Sequence, residues 1–277
     1  MAAEADWSNR FASAPIDAMQ VYDDIFVPGL FIPWGKVLLD EVGLAPGEHV
    51  LDVACGPGTV TRLAAERVGA NGRVVGADIS PSMLAIARAK PAPTGATIEY
   101  VETGAAPLAI GTAEFDAVVC QQGLQFFPDR AAALLEMRRA LKPGGRVAVA
   151  VWTAIDQQPS FAGLAHAVAD VLGPDTAARY ANGPWGHSSL DVLANEVEAA
   201  GFTDVRAERR ALDVVFEGDG ARYSETLAAA GIADEVAALS EDDRALLKQA
   251  AARHLRPLVS DGRLHSPSAS NIVVARA

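Results

Sequence analysis

The chain has 277 residues, half of them hydrophobic, and its 23 basic and 35 acidic side chains give a net charge of −12. This length fits one large domain, or one domain with a cap over it. Because nucleic-acid binding needs clustered Lys and Arg, the acidic balance argues against a nucleic acid as the substrate.

Cysteine content and the length of apolar runs narrow the class of protein further. Cys55 and Cys120 are too few for a disulfide framework, and no companion residues stand around them at metal-ligand spacing. No apolar run reaches the roughly 18–20 residues that cross a bilayer, and the N-terminus does not have a basic stretch followed by an apolar one. We therefore expect a cytoplasmic protein with no membrane partner and no metal site.

Residues 15–43 are predicted to form two helices that separate near the Val-Pro-Gly sequence at 27–29. The apolar side chains of this region are too many for a solvated leader: Ile25, Phe26, Leu30, Phe31, Trp34, Val37 and Leu38.

From residue 50 onward, strands alternate with amphipathic helices. The predicted strands are 50–54, 73–78, 97–102, 115–120 and 145–151, and the predicted helices are 59–68, 81–89 and 129–141. Strands that alternate with crossover helices imply a parallel sheet with helices on both faces. Beyond Trp152 the pattern predicts helices at 160–172, 188–200, 221–230 and 241–255, and strands at 204–216 and 269–276, the last antiparallel to its neighbours.

The first informative motif is VLDVACGPGT at residues 50–59, a buried strand that ends on Gly56-Pro57-Gly58. Glycines allow backbone angles that are closed to other residues and let a ligand approach the main chain. The helix that begins at Thr59 also offers its N-terminus to a ligand. A tight connection between strand and helix needs glycine for structural reasons too, so the turn alone does not decide between the two explanations.

The second motif places a carboxylate at the end of the next strand. Asp78 follows Gly58 by 20 positions, where an acidic side chain receives the two ribose hydroxyls of a nucleoside ligand in this architecture. Ser80, just before Pro81, is the better helix cap, which leaves Asp78 available for a ligand.

Two nucleoside ligands compete at this point, a dinucleotide and S-adenosylmethionine. The dinucleotide-binding pattern requires a third glycine at the position where this chain has Thr61. Asp52 lies outside the dinucleotide pattern as well, and it is suited to accept hydrogen bonds from a ligand amine or from the amides of the glycine turn. Without such partners a buried aspartate is costly.

Four ordered motifs resemble the class I S-adenosylmethionine-dependent methyltransferases, most closely the small-molecule branch typified by ubiquinone/menaquinone-biosynthesis methyltransferases. They are VLDVACGPGTVTRLA, VVGADISPSMLAIAR, FDAVVCQQGLQFFPD and LKPGGRVAVAVW, within residues 48–152, and a later GFTDV matches the start of the family's penultimate strand region. The resemblance implies a Rossmann-like α/β fold, with a seven-stranded, mostly parallel sheet whose last strand is antiparallel. It also implies S-adenosyl-L-methionine as the cofactor and methyl transfer as the reaction.

The resemblance further implies which residues contact the cofactor. Asp52 and the glycine turn would surround the methionine part, Asp78 the ribose, residues 79 and 83 the adenine, and residues 121–122 the side that opens toward substrate. The implied cofactor-binding residues are Asp52, Cys55, Gly56, Pro57, Gly58, Asp78, Ile79, Met83, Gly104, Ala105, Gln121 and Gln122.

One position departs from the family. After the third strand the family has Gly-Asp-Ala, whose aspartate bonds the adenine amino group, whereas this chain has Gly104 there. Either the backbone amides of Gly104 and Ala105 take over the contact with reduced affinity, or a neighbour such as Glu102 substitutes.

We expect a single methyltransferase domain over residues 1–277, with a cofactor-binding core at 46–152 that is completed by 188–217 and 263–277. Residues 1–45 would form an N-terminal helical cap, and 153–187 and 218–262 would form further cap insertions. These segments are apolar with few charges, as expected over a small, largely apolar substrate. The less favoured alternative is that they extend the core.

The catalytic candidates follow from the reaction. The cofactor would supply the electrophile, so the protein has to position a nucleophile and exclude water. His187, in the sequence NGPWGHSS, is the best candidate for a general base, with Tyr22 second.

The sequence is also compatible with two other functions. The same fold and ligand could serve a cyclisation that transfers no methyl group, or the chain could be a nicotinamide-dependent reductase. A role in secondary metabolism fits the preferred function.

Overall fold

In the computed structural model, Arg10 and residues 12–277 are described, and within them eight strands form one sheet in the order β3-β2-β1-β4-β5-β8-β6, with β7 paired to β8. Their bounds in chain order are His49–Val53, Arg73–Asp78, Thr97–Glu102, Phe115–Gln121, Leu141–Trp152, Thr203–Glu217, Val259–Ser260 and Arg263–Arg276.

Strand directions confirm the predicted Rossmann-like arrangement. The pairs β1–β2, β1–β4, β2–β3 and β4–β5 are parallel, and β8 lies antiparallel between β5 and β6. The two-residue strand β7 was not predicted, and it pairs with the start of β8.

Buried side chains alternate between the two faces of the sheet. Val50 belongs to a cluster on one face together with Leu39 and Val60, whereas Leu51 belongs to a second cluster with Leu134. Since neighbouring residues of a strand point to opposite faces, a strand that is covered on both sides needs a continuous apolar run, as this motif has.

The α-helices cover both faces of this sheet. From residue 16 onward they are, in chain order, Ile16–Phe26, Ile32–Val42, Thr59–Val68, Pro81–Ala89, Arg130–Ala140, Pro159–Leu172, Pro174–Ala181, Leu190–Ala199, Gly220–Tyr223, Ala233–Ala237 and Glu241–Leu255. The predicted helices 59–68, 81–89 and 241–255 are confirmed with their bounds. Ser80 caps its helix as predicted, accepting a hydrogen bond from the Met83 amide at 3.3 Å. None of the described helices is long and apolar enough to span a bilayer.

The N-terminal segment is more continuous than predicted. Instead of a break at 27–29, a π-helical turn at Val27–Phe31 joins the two helices. Gly29 lies in this turn against β6, where an added Cβ would be 2.5 Å from the Val215 carbonyl oxygen. Glycine therefore allows the N-terminal segment to approach the sheet closely.

Four later elements differ from the prediction. The predicted helix 221–230 is a short α-helix, Gly220–Tyr223, followed by a 3-10 segment, Ser224–Ala229. There the Ser224 and Thr226 hydroxyls donate to carbonyls three residues earlier, at 2.7 Å each, in the local bonding by which these residues compete with regular helix. Helices Pro174–Ala181 and Ala233–Ala237 were not predicted. Strand β8 begins at Arg263 rather than 269, because its pairing with β6 continues to Glu217.

Candidate active site

A cavity of about 290 Å³, the main cavity, opens where β1, β2 and β4 end. Parallel α/β sheets bind ligands beyond these carboxyl ends. Of the residues predicted to form the site, those that line this cavity are Tyr22, Gly56, Asp78, Ile79, Met83, Gly104, Ala105, Gln121 and Gln122.

The Asp78 carboxylate is held in place by the glycine turn and by its own helix. Its Oδ2 accepts a hydrogen bond from the Gly56 amide at 2.7 Å, and its Oδ1 accepts one from the Ser80 amide at 2.8 Å. Burial raises the pKa of Asp78, and these two amides oppose the rise. Each carboxylate oxygen can accept a further hydrogen bond, so the group can still receive two ligand hydroxyls.

A smaller cavity of about 30 Å³, the polar cavity, adjoins the main one and shares Tyr22, Ala54, Gly56 and Gln121 with it. It is lined also by Asp52, Cys55, Pro57 and Thr59.

Two polar groups of this cavity are deeply buried. Asp52 Oδ2 accepts a hydrogen bond from Thr61 Oγ1 at 2.6 Å, and burial raises the pKa of Asp52 to about 7, with the Asp78 charge adding to the rise. The Thr59 hydroxyl is buried with no hydrogen-bond partner among the described residues. A polar ligand group would satisfy both.

Two residues with a strained backbone lie at the same edge of the sheet. Ala54, just after β1, and Gln122, just after β4, have left-handed φ angles of 59° and 55°. Both residues line the main cavity. Non-glycine residues in this conformation cluster at binding and catalytic sites, where the surrounding structure holds them in place.

Gly58 and Gly104 occupy different surroundings. Gly58 lines none of the cavities. Its φ is +78°, and an added Cβ would clash with the Tyr100 hydroxyl, so packing accounts for this glycine. An added Cβ at Gly104 would meet nothing within 4 Å. Glu102, the other candidate for the adenine contact, is exposed and lines no cavity.

A third cavity, of about 90 Å³, lies beside the main one and shares Tyr22, Gln122 and Phe126 with it. We call it the aromatic cavity, since its walls include Tyr22, Phe26, Phe31, Phe126, Trp152, Phe161, Tyr180 and Trp185. The rings contact one another: Tyr22 stacks on Phe31 with centroids 5.1 Å apart, and Phe161 lies 4.9 Å from Trp185. No local sequence pattern indicated this cavity.

The two catalytic candidates are far from equivalent. Tyr22 lines all three cavities, and burial raises the pKa of its phenol well above the usual value, as do the nearby carboxylates of Asp78 and Asp23. It therefore keeps its proton at neutral pH and is suited to donate a hydrogen bond. His187 lines none of the cavities. Its Nε2 lies 3.0 Å from Glu196 Oε2, and burial lowers its pKa.

The part of the chain that contains the glycine turn is similar to known methyltransferases. Residues 50–145 match the family described as methyltransferase domain. The chain is 37% identical over 136 residues to the chloroplastic 2-phytyl-1,4-beta-naphthoquinone methyltransferase of Arabidopsis thaliana, an alignment that covers 47% of this chain and 52% of that protein. It is 36% identical over 150 residues to the ubiquinone/menaquinone biosynthesis C-methyltransferase UbiE of Teredinibacter turnerae, with coverage of 52% and 60%.

An uncharacterized protein of Mycobacterium tuberculosis, Rv1405c, is 39% identical over 121 residues, which cover 44% of this chain and 43% of that protein. The chain thus spans about half the length of the curated relatives that it matches.

Solved structures extend the likeness of fold to nearly the whole chain. The phosphoethanolamine N-methyltransferase 2 of Haemonchus contortus, in complex with S-adenosyl-L-methionine, matches 99% of this chain and 60% of its own, with a TM-score of 0.57 at 18% identity. The [4+2]-cyclase SpnF matches 88% of this chain and 80% of its own, with a TM-score of 0.51 at 21% identity. At these identities the likeness is one of fold.

Proposed function

We propose that this chain, whose residues 50–145 match the family described as methyltransferase domain, is a class I S-adenosylmethionine-dependent enzyme that transfers a methyl group from S-adenosylmethionine to a small, largely apolar molecule. The observation that carries this proposal is the pairing of two cavities at the carboxyl edge of the sheet. The main cavity has the polar groups for a nucleoside, and the aromatic cavity opens beside it.

The residues present fit the cofactor. Asp78 would hold the ribose hydroxyls, because its two oxygens are fixed by amides and keep free acceptor capacity. Asp52 and the unpartnered Thr59 hydroxyl would hold the amino-acid part in the polar cavity. Ile79 and Met83 would flank the adenine, next to the open space at Gly104.

When bound, the cofactor supplies an electrophilic methyl group on a sulfonium. The chain's own residues then have to orient the acceptor and exclude water. Tyr22, Gln122 and Phe126 line both cavities, so they border the path between the two ligands. The aromatic side chains of the aromatic cavity would exclude water from around the acceptor.

We assign residues 1–45, 153–187 and 218–262 to a cap over a core of 46–152, 188–217 and 263–277; of the first segment, residues 1–9 and 11 lie outside the described residues. Two contacts support this division. Lys90 Nζ binds Asp23 Oδ1 at 2.6 Å and the Pro57 carbonyl at 3.0 Å, which ties the N-terminal helix to the glycine turn. Gln121 Nε2 donates to the Phe31 carbonyl at 3.1 Å. A cytoplasmic location, a role in secondary metabolism and the exclusion of nucleic acid as substrate stay predictions.

A product assay tests the proposal. The purified protein is incubated with S-adenosylmethionine that carries a deuterated methyl group and with a panel of hydroxylated arenes, and products are followed by mass spectrometry. We expect S-adenosylhomocysteine and a deuteromethylated product to form in equal amounts. Conversion of a substrate without S-adenosylhomocysteine would instead favour the cyclase-like alternative, and oxidation of NADH would favour the reductase.

A further inference from the structure

Two residues that line the aromatic cavity each carry a buried polar atom with no hydrogen-bond partner among the described residues: Gln122 Oε1 and Trp185 Nε1. The two residues are only 4% and 5% exposed, and both line this cavity. Buried polar groups are normally hydrogen-bonded, so an unpaired acceptor and an unpaired donor in one cavity call for an explanation.

The hydrogen-bond network fixes which end of the Gln122 amide is unpaired. Ser270 Oγ lies 2.9 Å from the Val151 carbonyl, to which it must donate its only proton. The Ser270 oxygen can therefore only accept from Gln122, whose Nε2 lies 2.9 Å away. The oxygen of the Gln122 amide is therefore the atom without a hydrogen-bond partner. Gln122 lines both the main and the aromatic cavity.

Trp185 offers the complementary group in the cap. Its indole N–H can donate and cannot accept. The ring is held by Phe161 at 4.9 Å and by Tyr180 at 5.3 Å between centroids, and it lines the aromatic cavity but not the main one. Gln122, which carries the acceptor, thus lines both cavities, whereas Trp185, which carries the donor, lines the aromatic cavity and not the main one.

The aromatic cavity offers no charge to a ligand. Among the described residues that line it, none is Asp, Glu, Lys, Arg or His. An ionised ligand group would lose its hydration there without gaining a countercharge, which is costly.

We propose that the methyl acceptor is a neutral, hydrophobic molecule with two polar groups at separate positions. A hydroxyl or N–H near the reacting end donates to Gln122 Oε1, and a carbonyl or ether oxygen accepts from Trp185 Nε1. This inference rests on the proposed function, because it takes the aromatic cavity as the acceptor site. It makes Gln122 and Trp185 specificity-determining residues.

Binding of matched small arenes tests the proposal. The full chain, saturated with S-adenosylhomocysteine, is titrated with 4-hydroxyacetophenone, which has both groups, and with 4-ethylphenol, acetophenone and 4-hydroxybenzoate. We expect 4-hydroxyacetophenone to bind tightest, and the loss of either group to weaken binding by about three- to tenfold. The charged benzoate should bind more weakly than any of the neutral probes.

Two variants link each probe group to its residue. In Gln122→Met, which has a similar shape and no acceptor, removing the hydroxyl should have no further effect, while removing the carbonyl should still weaken binding. Trp185→Phe should give the opposite pattern. Each variant is therefore the control for the other, and thermal melting checks that both are folded.

Several outcomes would overturn the proposal: equal affinities for the neutral probes, no measurable binding of any probe, tight binding of 4-hydroxybenzoate, or group losses that persist unchanged in both variants. Cofactor binding and methyl transfer are measured separately. A chain that transfers methyl groups but shows none of this pattern refutes the acceptor assignment alone. The pattern without methyl transfer refutes the proposed function, and with it the identity of the ligand as a methyl acceptor, and leaves Gln122 and Trp185 as ligand-binding residues only.

Discussion

Binding of the cofactor's amino-acid part in the polar cavity, as proposed above, would make cofactor affinity depend on pH in a defined direction. Burial raises the pKa of Asp52 from 3.8 to about 7, so the free protein holds a proton there in slightly acidic solution. The ammonium of the cofactor's amino-acid part favours the ionised carboxylate and lowers this pKa. Binding should therefore release a proton, and affinity should rise as the pH is raised toward and past 7.

The size of the effect follows from the pKa. With a pKa of about 7, roughly a tenth of Asp52 is ionised at pH 6 and roughly nine tenths at pH 8. S-adenosylhomocysteine should thus bind up to about tenfold more weakly at pH 6 than at pH 8, and the curve should level off above pH 7.

Calorimetric titration in two buffers of different ionisation enthalpy measures both the affinity and the number of protons released. Adenosine, which shares the nucleoside but has no ammonium, should bind equally well at pH 6 and pH 8. The Asp52→Asn variant keeps an acceptor for Thr61 and should show a flat pH profile. Proton uptake on binding, or an unchanged pH profile in Asp52→Asn, would refute the reasoning.

Three further substitutions probe the rest of the site. Asp78→Ala should weaken S-adenosylhomocysteine binding by about 2–3 kcal/mol, the scale for losing a charged acceptor of two hydroxyls; Glu102→Ala, at the end of the neighbouring strand, is the calorimetric control and should bind normally. Gly104→Asp should bind the ligand equally or more tightly, because the added side chain enters open space, and a large loss of affinity would contradict this. His187→Ala should leave turnover within about threefold of wild type, because His187 contacts Glu196 and lines no cavity; a loss of roughly 10²-fold or more would instead make it catalytic.

The sequence predicted the nucleotide-binding half of the fold because its signals are local. An apolar run bounded by glycines predicted β1. Ser80 followed by Pro81 predicted the start of the helix Pro81–Ala89, which follows β2. Strand β8 starts six residues before its predicted beginning, since its length depends on pairing with β6, which no local pattern encodes.

The aromatic cavity could not be predicted in the same way. It combines side chains from distant segments, among them Tyr22, Trp152 and Trp185, which meet only after these segments have packed on the sheet. The loop around His187 has the composition of a binding loop, but its histidine packs against Glu196, nine residues further along the chain. Contacts of this kind depend on tertiary packing rather than on composition.

The central claim is that the cavity at the carboxyl edge of β1, β2 and β4 binds S-adenosylmethionine. Equilibrium titration of the wild-type chain with S-adenosylmethionine and, separately, with NADH tests it most directly. We predict one S-adenosylmethionine per chain and no NADH, because buried Thr61 occupies the position of the third dinucleotide glycine and bonds Asp52. Binding of NADH, or a failure of S-adenosylmethionine to bind the folded chain, would contradict the account.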